Sequence, residues 1–209
     1  MNKTEQFLNS IRELFSREIS ARAMDRARLS LLDYLAVTFA GVESAKEKLS
    51  RYLQSAEPER GEYPVIGCGL SLNLKEAVFL NGLLAHYLDL DDGSNRGIIH
   101  LGSPIFSALL PLAQRHGASW QEFLEAAVLG YEAAYTLAVS IQPGHKERGW
   151  HATGTCGTLG IALALSRLLK LTAEETRHAF AAASVSAGGV LNVLDEGSEL
   201  KPYNVAKSA

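Results

Sequence analysis

A chain of 209 residues, 47% hydrophobic and 21% charged, can bury a sizeable core. That composition excludes collagen-like, mucin-like and wholly disordered classes. Lys and Arg number 20 against 23 Asp and Glu, for a net charge of −3. With no basic block or stripe, the footprint of a nucleic-acid binder is missing.

Two distant cysteines, Cys68 and Cys156, show no CxxC and no Cys/His metal spacing. They read as reduced thiols. The opening segment mixes Lys3, Arg12 and Arg17 with Glu5, Glu13 and Glu18, unlike a signal peptide or a mitochondrial presequence. Residues 152–166, an uncharged run rich in glycine, fall short of the ~20 residues a bilayer requires. The expectation is a soluble, cytoplasmic protein with neither membrane nor nucleic acid as partner.

Helical periodicity dominates. Phe7, Leu8, Ile11, Leu14 and Phe15 line one face of a first helix, with Thr4 as a candidate cap. A second helix is expected over 22–39, stopping at Gly41. Ser44 with Glu47 has the form of a capping box, in which each residue satisfies the other's orphan N–H. It opens a third helix to about residue 54. Residues 57–61 are a polar breaker, and 63–70 are a loop or one short strand.

Asn73 with Glu76 caps a helix reaching about Leu88, before the loop Asp89-Leu90-Asp91-Asp92-Gly93-Ser94-Asn95. Ser103 then Pro104 reads as a cap followed by proline at the first helical position. That helix ends before Gly117, and Ser119 with Glu122 starts a long one to about Ile141. A loop over 142–150 precedes a small-residue-rich helix to Lys170. Thr172 with Glu175 caps the next, to about Ala187, and Lys201 opens another. The fold class is all-α, a bundle-like domain of about eight helices over 1–209. Small residues between Gly154 and Ala187 are expected to bring helices close.

Reactive groups gather in three loops. One holds Asp89, Asp91 and Asp92, a second His100 and a third His151. Both histidines precede a helix N-terminus, where free N–H groups favour anions and imidazole can carry protons at neutral pH. Carboxylates suit such a pocket, and Lys201 adds a compact positive charge. Each feature also has a plain structural reading. The aspartates form a solvated helix-ending loop, His100 and His151 cap helices or face solvent, and His86 packs in a core. His116, His145 and His178 read as surface residues. Calcium is excluded by pattern, since Gly93 falls at the fifth loop position and His100 at the twelfth. His145 and His151 lack a third zinc ligand at sensible spacing. The Thr153-Gly154-Thr155-Cys156-Gly157-Thr158 stretch lacks the Gly-Lys-Ser/Thr of a P-loop.

Asn81-Gly82, His86, Leu88-Asp89-Leu90-Asp91-Asp92 and then His100-Leu101-Gly102-Ser103-Pro104 resemble the MmgE/PrpD family. Gly130-Tyr131-Glu132, Gly149-Trp150-His151-Ala152-Thr153-Gly154, Gly157-Thr158-Leu159-Gly160 and Lys201-Pro202 are similar to its later motifs, in the same order. The resemblance is strongest from Ala77 to Lys201. It implies a helical domain joined to a smaller α+β domain, usually as a homodimer, with no metal or organic cofactor. It also implies catalytic roles for Asp89, His100, His151 and Lys201, and substrate contacts from Asp92, Gly93, Ser103 and Thr153. Leu101 stands where the family usually has proline, and Gly93 where its decarboxylases have threonine. Family members are about twice as long, so the second domain and a further active-site histidine are expected from a complementing chain.

The implied function is cofactor-independent proton abstraction from a small di- or tricarboxylate, in the manner of 2-methylcitrate dehydratase. Within the family, cis-aconitate decarboxylation and epimerisation share the same enolate-like intermediate. Outside enzymology, an inactive remnant, a non-catalytic subunit or a small-acid binding module fit the same residues.

Overall fold

A computed structural model describes residues 2–191 and 200–209. Among them lie nine helices: α1 (Lys3–Ser16), α2 (Ala21–Ala56), α3 (Leu74–Ala85), α4 (Gly102–Arg115), α5 (Trp120–Ile141), α6 (Gly144–Glu147), α7 (Ala152–Leu168), α8 (Ala173–Ser186) and α9 (Lys201–Ser208). Two small antiparallel hairpins interrupt them, β1 (Arg60–Val65) with β2 (Leu70–Leu72) and β3 (Gly93–Ser94) with β4 (Ile99–His100). The all-α class holds, with strands confined to these hairpins.

The α5–α7 pair is the heart of the bundle. Gly130 and Gly160 let the two backbones meet. A Cβ on Gly160 would stand 2.7 Å from both the Gly130 carbonyl oxygen and the Ala134 Cβ. Ile105, Phe106 and Leu109 of α4 close the core over Leu124, Ala127, Ala134 and Ala164. The expected closeness of the small-residue helix is thus a packing fact. By length and composition α5 is long and apolar enough to cross a membrane. Here it carries Glu122, Glu125 and Glu132 and buries Phe123, Leu124, Ala126 and Ala127 in the core.

Local capping signals fold as expected. Ser119 with Glu122 and Thr172 with Glu175 form complete boxes, and Asn73 caps α3 by accepting from the Glu76 N–H. At the start of α1 the box is Asn2 with Glu5, and the cap is Asn2, two residues before the expected Thr4.

Other boundaries differ. The two helices expected around Gly41 are one continuous helix, α2, and Ser44 caps nothing because the helix never stops there. Gly41 serves a close approach: a Cβ would lie 2.0 Å from the Leu84 carbonyl oxygen of α3. Tertiary contact overrides the weak helix-breaking tendency of glycine. The breaker at 57–61 donates Arg60 and Gly61 to β1. The loop at 142–150 contains the single turn α6. Ser103 is not the cap of α4, which starts one residue earlier at Gly102.

Candidate active site

Four chain segments converge at one end of α3, α4 and α7. His86 is the C-cap of α3, and the chain then reverses at Asp89, whose φ of 56° lies in the left-handed region. Aspartate is among the few non-glycine residues that visit that region readily. The reversal brings Asp91 back beneath His86. Asp92 follows and caps α4 from outside: its Oδ1 accepts from the Gly102 N–H at 2.7 Å and the Leu101 N–H at 3.3 Å. Tyr131 donates its hydroxyl to Asp92 Oδ2 at 2.7 Å. The β3–β4 hairpin then delivers His100, whose N–H donates to Thr153 Oγ1 at 3.0 Å. His151 is the N-cap residue of α7, tied by its N–H to the Gly189 carbonyl at 3.0 Å. Lys201, at the start of α9, forms a short ion pair with Asp89.

The imidazoles form a row. His86 lies edge-on to His100 with ring centroids 4.7 Å apart, and its centroid is 6.2 Å from that of His151. The buried Asp91 sits below the first two. Its Oδ1 is 2.7 Å from His86 Nδ1 and 3.3 Å from His100 Nδ1, while Oδ2 accepts from the Ser103 hydroxyl at 2.6 Å. On the outer side, Asp89 Oδ1 is 3.4 Å from His100 Nε2 and 3.7 Å from His86 Nε2. Among the described residues, His86 Nε2 and His151 Nδ1 are buried and find no hydrogen-bond partner, an uncommon state for buried polar atoms.

These surroundings push the titrating groups apart. Burial disfavours the Asp91 carboxylate, yet its hydrogen bonds with His100 and His86 outweigh burial and hold it far below the usual range. For His100, burial opposes the charged form, but the hydrogen bond and negative charge of Asp91 prevail and raise its pKa. His151 goes the other way, down to about 3, through burial and then the nearby His86, Lys201 and His100 charges. One histidine favours its cation and the other its neutral form, the arrangement expected of an acid and a base sharing a site.

A cavity of about 600 Å³ opens beside them. His100, His151 and Lys201 form its inner wall, and Asn95, Gln142, Lys146 and Trp150 its outer one. Among the described residues that line it there are two lysines and no carboxylate. Such a wall suits an anion with more than one negative charge.

Asp89, His100, His151 and Lys201 therefore come together as expected, and Gly93 lines the cavity. Asp92, Ser103 and Thr153 stand behind it. Their polar atoms engage the α4 N-terminus, Asp91 and the His100 N–H, so each supports the site from outside the cavity lining. The free N–H groups expected beside His100 are also taken, by Asp92. His86 is in a core, as its spacing implies, but that core is the floor of the site. Sequence reasoning quoted Asp91 and Trp150 within motifs but gave neither a site role, and it missed Lys146 and Gln142, which have no local signature. His145, expected on the surface, is half-buried and pairs through Nε2 with Thr155 Oγ1 at 2.8 Å.

Ligand atoms of His86, Asp89, Asp91 and His100 lie within 4.8 Å of one another, close enough in space to share a cation. The Lys201 ammonium already sits on Asp89, so an arriving cation would meet positive charge there.

A family model described as the MmgE/PrpD N-terminal domain matches residues 5–209. A cis-aconitate decarboxylase-like protein of Aspergillus oryzae is 29% identical over 205 residues, 94% of this chain and 42% of that protein. The cis-aconitate decarboxylases of Homo sapiens and Mus musculus are 25% and 26% identical over 99% of this chain. The chain spans less than half the length of these curated relatives, 42% to 44%.

Proposed function

The chain belongs to the MmgE/PrpD family, and on that footing we propose that its site moves a proton at a carbon next to a carboxylate of a small di- or tricarboxylate, as part of a lyase. The observation that carries this reading is the opposed charging of His100 and His151 on one cavity wall, with Lys201 and the exposed Lys146 lining the same cavity. Lys201 and Lys146 hold carboxylates, and Lys201 steadies the negative charge that builds on the substrate in the transition state. Asp89 orients His100 and Lys201. Side chains supply all of this chemistry, without a metal or organic cofactor.

The named relatives favour loss of carbon dioxide. The bond between the methylene carbon of cis-aconitate and its carboxylate breaks, the electron pair spreads through the adjacent double bond as an enolate-like carbanion, and His100 gives its proton to the far carbon of that double bond, next to a remaining carboxylate. Solvent then restores the imidazolium. In a dehydration the same pair divides the work: His151 takes the proton from carbon and His100 gives one to the departing hydroxyl. An entering polyanion offsets the positive charges around His151 and raises its basicity toward the neutral range.

The test is turnover of cis-aconitate and of 2-methylcitrate by the protein in its native assembly, compared with His100→Gln and His151→Gln. Loss of His100 is expected to lower kcat by about 10²–10⁴ on either substrate. The same loss in His151→Gln on 2-methylcitrate alone would mark the dehydratase division of labour. Near wild-type rates in both variants would refute the reading.

A further inference from the structure

Asp91 contributes no atom to the cavity wall, yet three side chains converge on it. An ionised carboxylate only accepts hydrogen bonds. The nitrogens facing Asp91 Oδ1, His86 Nδ1 at 2.7 Å and His100 Nδ1 at 3.3 Å, must therefore both carry hydrogen. The Asp91 main-chain carbonyl, 3.2 Å from the same His100 Nδ1, demands a hydrogen there as well. It follows that a neutral His86 has a bare Nε2, in keeping with the absence of a partner for that buried atom among the described residues.

We infer that Asp91, clamped by His86 and Ser103, is a positioning residue that fixes His100 in the Nδ1–H tautomer and leaves Nε2, on the Asp89–Lys201 side, as its proton-exchanging atom. The logic is that of the aspartate which orients the histidine in a Ser-His-Asp triad, built here with a second imidazole on the same oxygen. His86 holds that oxygen more closely and lies edge-on to the His100 ring, so neither the carboxylate nor the ring can turn without moving the other. The charged and titratable groups around His100 are Asp91 and His86 beneath, Asp89 and Lys201 outside, and His151 across the row. Of the two aspartates near it, Asp91 is buried and touches Nδ1, whereas Asp89 is half-exposed and already paired with Lys201. The inference rests on the reading that His100 exchanges a proton with substrate, but its test does not depend on turnover.

The experiment is ¹⁵N NMR of the histidine rings in the full chain as a function of pH. In the wild type, neutral His100 should show a protonated Nδ1 and a bare Nε2. The opposite pattern, or a mixture of tautomers like that of free histidine, overturns the inference without any variant. Asp91→Asn removes the negative charge beside Nδ1 while the residue-91 main-chain carbonyl still accepts from it. His100 should therefore keep its Nδ1–H tautomer and titrate at lower pH, with kcat reduced about 10²–10⁴ and KM little changed. An unchanged His100 titration in folded Asp91→Asn also overturns it. Asp92→Asn is the control, since loss of the α4 cap should lower thermal stability while leaving the His100 tautomer as it was. If the tautomers come out as stated and His100→Gln still turns over normally, the positioning inference stands and the catalytic reading falls.

Discussion

At the scale of single residues, the site stores its chemistry in histidines held in unequal charge states, and this has a consequence for stability. His151 titrates near 6.5 in an unfolded chain and at about 3 in the folded one. Between those values the unfolded state binds more protons, so stability falls as pH drops through this window, by an amount on the order of a few kcal/mol. The Asp91 carboxylate, depressed in the fold, adds to the loss below the ordinary carboxylate range. His100, raised in the fold, works in the other sense: its contribution is present at low pH and is lost as pH rises through its folded value. Thermal midpoints should therefore fall steeply from pH 6.5 toward pH 3. His151→Leu should flatten that descent, because the leucine has no proton to gain. A variant with the same slope as wild type would show that His151 is charged in the folded protein.

At the scale of elements, close helix contacts set the geometry that the residues exploit. Gly41→Ala would drive a methyl into the Leu84 carbonyl of α3, two residues before His86. It should destabilise the fold by about 1–3 kcal/mol, read by chemical denaturation, and shift the His86 ring signals. An unaffected midpoint would mean that α2 and α3 are further apart than described. Capping boxes at Ser119 and Thr172 were legible in the sequence because each needs only four consecutive residues. The continuity of α2 was not, because the reason for Gly41 lies in another helix. The same divide runs through the site. Asp89, His100, His151 and Lys201 could be picked out by motif order. The Asp91–His86 couple depends on a left-handed turn at Asp89 that no local pattern announces, and Asp92 looked like a ligand while serving as a helix cap.

At the scale of the whole molecule, the chain spans less than half of its curated relatives, and its cavity is bounded in part by exposed residues such as Lys146 and Trp150. We propose that it works in association with a second copy of the same chain. Leu29, Leu32 and Phe39 stand exposed on α2 at spacings of three and seven residues, which place them along one face of the helix and offer that face for association. Native mass spectrometry of the protein from its source should find a species of twice the mass of its denatured polypeptide. A native species of the single polypeptide's mass would rule the association out.

The site is proposed to make a carbon–hydrogen bond next to a carboxylate. That bond can be seen in the product formed from cis-aconitate by the native assembly in D₂O, read by NMR. The expected result is release of carbon dioxide with one deuterium on the far carbon of the former double bond, next to a remaining carboxylate, abolished in His100→Gln. Saturable binding of the acid with no carbon–deuterium bond formed would contradict the claim and leave a small-acid binding module in place of an enzyme.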